Sequence, residues 1–143
     1  MKDDGLKTAR ACADRMYAND AASRALGISV DILEPGSAVA TMIVREDMTN
    51  GFDICHGGLI FALADTAFAF ACNAYDDVTV AASGTIEFVR PVYAGDRLRA
   101  VALEEHRGRK TGIYAVEVLN QHDDFVALFR GRAVARGQRL LDD

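Results

Sequence analysis

The sequence is sparing with the residues that mark specialised chains. Only two of its 143 residues are proline, while half are apolar and 26% charged, which excludes a disordered or collagenous chain. There are three cysteines, Cys12, Cys55 and Cys72. The number is odd, no CxxC pair occurs, and no spacing suits a zinc site, so free thiols in a reducing cytoplasm are expected. With His56, His106 and His122 as the only histidines, no metal centre is expected either. Positive charge is also in deficit. The net charge is −5 and the pI about 5.1, which gives the chain no global attraction for nucleic acid or an anionic membrane. The first fifteen residues are charged and lack the apolar core of a secretory signal. No repeat, linker or low-complexity stretch is evident.

What is present amounts to one domain, residues 1–143, long enough to bury a core. Charge is unevenly spread. Residues 1–72 carry 6 basic and 10 acidic side chains, and residues 73–143 carry 10 and 11, which leaves room for local basic patches in the second half. Residues 57–75 have the look of a membrane helix, with 14 of 19 positions apolar. Asp65 in their middle would cost roughly 2.5–3.5 kcal/mol on insertion, and six of the apolar residues are alanine. A helix apolar nearly all round is read instead as the buried centre of a soluble fold.

Around it the pattern alternates. A helix is predicted over about 6–18. Two strands then flank Pro35-Gly36, and Asn50-Gly51 marks a turn in a polar stretch before the long helix. Four further strands are predicted over about 78–89, 96–106, 112–120 and 124–135. The fold class is α+β, an antiparallel sheet wrapped on one helix over a core of about 26–137.

Asp65 is the most informative residue, the only charge between Asp53 and Asp76. A carboxylate in such surroundings needs a partner, a wet cavity or a function. Cys55-His56-Gly57-Gly58 opens the same helix. Free N–H groups at a helix start polarise carbonyls, and glycine lets a substrate approach the backbone. Gly57 and Asp65 stand eight residues apart, about 12 Å along a helix at 1.5 Å per residue. One acyl carbonyl needs its donor and its attacking atom each within about 3–3.5 Å. If both groups act, they come from two copies of the helix across a two-fold axis.

The run Asn50-Gly51-Phe52-Asp53-Ile54-Cys55-His56-Gly57-Gly58, followed by Ala64-Asp65-Thr66-Ala67, resembles the hotdog-fold acyl-CoA thioesterases, and within them the phenylacetic-acid-degradation branch. Phe88-Val89-Arg90-Pro91, Gly95-Asp96, Lys110-Thr111-Gly112 and Ala127 to Gly131 extend the likeness over about residues 15–137. The resemblance implies a hotdog fold with an extra N-terminal helix, dimers joined sheet edge to sheet edge, and pairing into tetramers. It implies hydrolysis of an aryl- or medium-chain acyl-CoA, phenylacetyl-CoA or its hydroxylated forms foremost, with no cofactor beyond the CoA of the substrate. Asp65 would be general base or nucleophile, and the Gly57 N–H would polarise the thioester carbonyl. Asn50 and His56 would hold the loop and the thioester, and Thr66 and Ser83 would support the carboxylate and water from the second subunit.

Plainer roles stand beside these. Asn50 suits an Asn-Gly turn, Thr66 a bond to a local carbonyl, and Ser83 an ordinary strand position. Arg90, Arg109 and Lys110 are candidates for the CoA phosphates, as forked or point-charge donors, or else a solvated surface. Phe52, Phe61, Phe68 and Tyr75 are candidates for an acyl pocket or for the core. A hotdog hydratase is disfavoured because Phe70, not histidine, lies five residues beyond Asp65. A non-catalytic acyl-CoA-binding oligomer is the competing reading.

Overall fold

The computed structural model describes residues 2–142, with Lys2 described by its backbone alone. Its elements are α1 (Lys2–Ala18), α2 (Ala21–Ala25), β1 (Ser29–Glu34), β2 (Ser37–Ile43), one 3-10 turn (Glu46–Met48), α3 (Gly57–Cys72), β3 (Thr79–Phe88), β4 (Arg97–Arg107), β5 (Thr111–Leu119) and β6 (Phe125–Ala135). The strands form one antiparallel sheet in the order β1-β2-β4-β5-β6-β3, curled around α3. The expected α+β architecture is therefore the observed one.

Boundaries differ at three places, each for a local reason. Helix α1 starts one turn earlier than the predicted 6–18, with Asp3 and Asp4 in its first turn, where carboxylates favour the positive end of the helix dipole. The short α2 had no periodic signal. It is nucleated by Asp20, whose side chain accepts from the Ser23 N–H at 3.0 Å and the Ser23 hydroxyl at 2.6 Å. Helix α3 stops at Cys72 rather than at residue 75. The Asn73 amide donates to the Ala69 and Thr79 carbonyls, both at 2.9 Å, and its oxygen accepts from the Thr79 N–H at 2.8 Å. One side chain thus ties off the helix and starts β3.

The close wrap depends on small residues. Ala38 and Ala40 of β2 and Ala100 and Ala102 of β4 face α3, which answers with Ala64, Ala67 and Ala71, all fully buried. On the other flank Gly84 of β3 sits opposite Gly131 of β6. A Cβ on Gly131 would lie 2.8 Å from the Phe68 ring and 2.9 Å from that of Phe129, and one on Gly84 would lie 3.0 Å from Phe129. The two glycines make room for the Phe61–Phe129–Phe68 cluster.

Helix α3 is not covered all round. Gly58, Phe61, Ala62, Asp65, Thr66 and Ala69 are half-buried or exposed, and their spacing of three and four puts them on one face. Beside that face runs β3, an edge strand that is exposed along nearly its whole length. Phe88 approaches Gly57 and Gly84 approaches Phe61, so β3 runs opposite to α3. At about 1.5 Å per residue in the helix and 3.3 Å in the strand, the bulge between Ala81 and Ser83 falls beside the turn that carries Asp65. Among the described residues, no helix is long and apolar enough to cross a membrane.

Candidate active site

The loop before α3 is built to present one backbone donor. The Cys55 N–H donates to the Val92 carbonyl and the His56 N–H to that of Met48, both at 2.8 Å. His56 is the N-cap, at φ −58 and ψ 130, and its Nδ1 accepts from the Gly58 N–H at 3.1 Å. Its carbonyl accepts from the Leu59 N–H at 2.9 Å. The Gly57 N–H is left without an acceptor among the described residues. It is the first N–H of the helix, where no intrahelical partner exists and the dipole favours an oxyanion.

Gly57 itself lines a cavity of about 380 Å³, together with Asn50, Ile54, Ile60, Phe88 and Arg90, with Val89 and Val92 alongside. Asn50 combines its plain and its functional readings. Its Oδ1 accepts from the Phe52 N–H at 2.9 Å, closing an Asn-Gly turn. Its Nδ2 has no partner among the described residues, while the residue lines the cavity. Cys55 lines the same space but is buried, and burial pushes its thiol up from the ordinary value. A thiol held neutral is a poor nucleophile.

Asp65 lies elsewhere, on the open face of α3. Eight residues at 100° each leave it about 80° round the helix from Gly57 and about 12 Å along it. Its carboxylate has no hydrogen bond or ion pair among the described residues, and partial burial raises its pKa above the ordinary carboxylate value. Thr66 does not support it here, because the Thr66 hydroxyl donates to the Ala62 carbonyl at 2.7 Å. Ser83 is exposed on the edge strand, paired in register with Arg132. It belongs with the strand positions that point away from α3, on the opposite side from Gly84.

The candidate phosphate ligands fall into two places. Arg90 lines the Gly57 cavity. Arg109 and Lys110 border a separate small cleft with Arg107, Tyr75 and Cys72, at the C-terminal end of α3. Fifteen residues of helix, about 22 Å, separate them from Gly57 within the protomer. In that cleft Arg107 stacks on Tyr75 at 3.6 Å, and Tyr75 and Tyr114 both donate to Glu104 Oε1, at 2.8 and 2.7 Å.

None of the four aromatic candidates lines the Gly57 cavity. Phe68 is core, Phe61 packs edge-on to Phe129, Tyr75 is held by Glu104, and Phe52 projects from the turn, 85% exposed. The aromatic residue that does line it is Phe88, which sequence reasoning missed. The available signal was its place at the end of a strand, directly before Val89-Arg90-Pro91.

A model of the thioesterase superfamily matches residues 52–127. The chain is 50% identical over 121 residues to the acyl-coenzyme A thioesterase PaaI of Escherichia coli K12, covering 85% of this chain and 86% of that one. The solved structure of the E. coli PaaI protein from the phenylacetic acid degradation operon superposes with a TM-score of 0.92 at 47% identity, covering 94% of this chain and 97% of that one. The phenylacetic acid degradation protein PaaI of Thermus thermophilus, in a mutant form, matches with a TM-score of 0.77 at 41% identity, over 80% and 98%. A Streptococcus mutans protein solved with acetyl-CoA bound matches at 0.74 and 26% identity, over 78% and 90%. By sequence and by fold, this chain belongs to the thioesterase superfamily.

Proposed function

We propose that the protein hydrolyses acyl-CoA thioesters, releasing a free acid and CoA. The observation that carries this is the unpaired Gly57 N–H at a helix start, on a residue that lines an apolar cavity. A thioester is already activated, so one such donor and one carboxylate base suffice chemically. Asp65 takes a proton from water as the water oxygen bonds to the carbonyl carbon. The carbonyl oxygen becomes an oxyanion held at the Gly57 N–H. The C–S bond then breaks, and the thiolate recovers the proton from the Asp65 carboxyl. Direct attack by Asp65, through an anhydride that water then cleaves, reaches the same products. Phenylacetyl-CoA and hydroxyphenylacetyl-CoA are the favoured substrates by relationship to the E. coli thioesterase, with medium-chain acyl-CoA behind them.

The working unit in this proposal is a dimer with two shared sites, itself paired into a tetramer. The open stripe on α3, the exposed edge strand β3 and the separation of Gly57 from Asp65 all support the dimer. Asp65 is supplied to the Gly57 cavity of the other copy. In this reading Arg90, which borders the Gly57 cavity, is a candidate for the CoA phosphates, and Arg109 and Lys110 serve only if the second copy brings them round. The buried free thiols suit a reducing compartment such as the cytoplasm.

The test follows free thiol release from a panel of aryl- and alkyl-CoA thioesters, with Asp65→Asn beside the unsubstituted protein. Hydrolysis falling by roughly 100-fold in the variant is expected, the scale of a lost general base. Tight CoA binding with no release from any thioester would instead establish a non-catalytic acyl-CoA binder.

A further inference from the structure

Phe88 is one of several large apolar side chains that the protomer leaves exposed, and it is the aromatic one that lines the Gly57 cavity. It ends β3 opposite Ala127 and turns to the α3 side of the sheet, yet it is 54% exposed. Its backbone is firmly placed, because the next two N–H groups, of Val89 and Arg90, both donate to the Val126 carbonyl at 2.8 and 3.2 Å. The loop bearing Gly57 is anchored just as firmly through Met48 and Val92. Between these two fixed points the ring is aimed at the glycine. A Cβ on Gly57 would lie 3.0 Å from Phe88 Cζ and 3.4 Å from both Cε atoms. With Cζ at 3.0 Å and both Cε atoms at 3.4 Å, that Cβ would lie over a ring face above Cζ, so one face of Phe88 rests against Gly57 and the remainder of the half-exposed ring is left to the cavity. Any side chain at position 57 would displace the ring, so the glycine serves both the donor and Phe88.

A carbonyl oxygen on the Gly57 N–H sits about 2.9 Å from that nitrogen. The first acyl atoms beyond the carbonyl therefore fall within contact range of the ring. The rest of the lining on that side, Ile54, Ile60, Val89 and Val92, is aliphatic, which suits an acyl group better than the amide-bearing arm of CoA.

We propose that Phe88 is the acyl-specificity residue of this site, a half-exposed ring beside the Gly57 donor that packs on the acyl group and favours flat aromatic acyl groups over straight chains. The proposal rests on the thioesterase reading. Aromatic pairs gain about 0.5–1.5 kcal/mol beyond burial alone, equivalent to roughly 2- to 10-fold in rate ratio.

The test compares phenylacetyl-CoA with octanoyl-CoA, which carry the same number of acyl carbons. kcat/KM is measured for the unsubstituted protein, Phe88→Leu and Phe88→Ala, with oligomer mass recorded under the same conditions. The aryl-to-alkyl ratio is expected to fall roughly 2- to 10-fold in both variants, with Phe88→Leu keeping its mass. Equal losses on both substrates would overturn the proposal, since the ring would then be serving the donor or the CoA arm. An unchanged ratio would overturn it too, as would loss of the oligomer in both variants, which would make Phe88 interface packing. Absence of thiol release by the unsubstituted protein would be a different result, the failure of the thioesterase reading itself.

Discussion

Asp65 is held where it weakens the fold. Burial without a partner raises its pKa, so the charged form is disfavoured in the native state relative to the unfolded chain. The sign follows from linkage. Any stability tied to this group is full below the ordinary carboxylate pKa and is lost as pH rises through the raised native value. At neutral pH the charge therefore costs stability, and Asp65→Asn is expected to melt higher than the unsubstituted protein, by on the order of a few °C, while losing activity. The gap should close as the pH approaches 4, and thermal melts across pH 4–8 check it. Activity has the opposite dependence, because the base works ionised. The acidic limb of kcat/KM is expected to lie above the ordinary carboxylate value of 3.8, read from a pH–rate profile. Asp65 was legible in the sequence because a lone charge in an apolar helix is conspicuous. Within the protomer the Thr66 hydroxyl donates to the Ala62 carbonyl and Ser83 points by strand parity away from the helix, so neither hydroxyl meets the Asp65 of its own chain.

Among elements, α3 and its opposing strands show what patterning conveys. Strand alternation located β1 to β6 within a residue or two, since one face of each strand meets the helix. The reading of 57–75 as buried on every side was only partly met, because the stripe through Ala62, Asp65 and Ala69 is open in the protomer. Hydropathy reports that a face wants cover, not whether the same chain supplies it. The glycines of β3 and β6 carried no periodic signal, yet they decide how the aromatic cluster packs. Gly131→Ala would force a methyl to 2.8 Å from the Phe68 ring. Overpacking of this kind costs about 1–3 kcal/mol, and a denaturant midpoint that falls with unchanged slope is the expected signature. The cavity's apolar wall was equally hidden, because Ile54, Ile60 and Phe88 come from a loop, a helix and a strand that only the fold brings together.

At the scale of the whole molecule, one edge of the sheet and one face of the central helix form a continuous unfinished surface. Strand β3 is an edge with neither lysine nor proline to discourage pairing, a state that soluble proteins resolve by covering the edge. The open stripe of α3 lies next to it. A solution mass of at least twice 15.4 kDa is expected by light scattering. Ala62→Arg, which places a charge on the stripe, is expected to bring the mass down towards that of the 15.4 kDa protomer and to lower activity by about tenfold or more, as for a desolvated interface charge. The central claim is that each protomer holds half of two sites. Gly57→Pro removes the donor with little harm to the helix, because proline is tolerated at the first helical position and His56 already has the extended ψ of 130 that a following proline requires. The direct measurement mixes inactive Asp65→Asn with inactive Gly57→Pro subunits, allows exchange, and follows thiol release from phenylacetyl-CoA. Random pairing makes half the dimers mixed, each with one intact site of two, so about one quarter of the unsubstituted activity should return. No recovery in verified, folded mixed dimers would contradict the shared site.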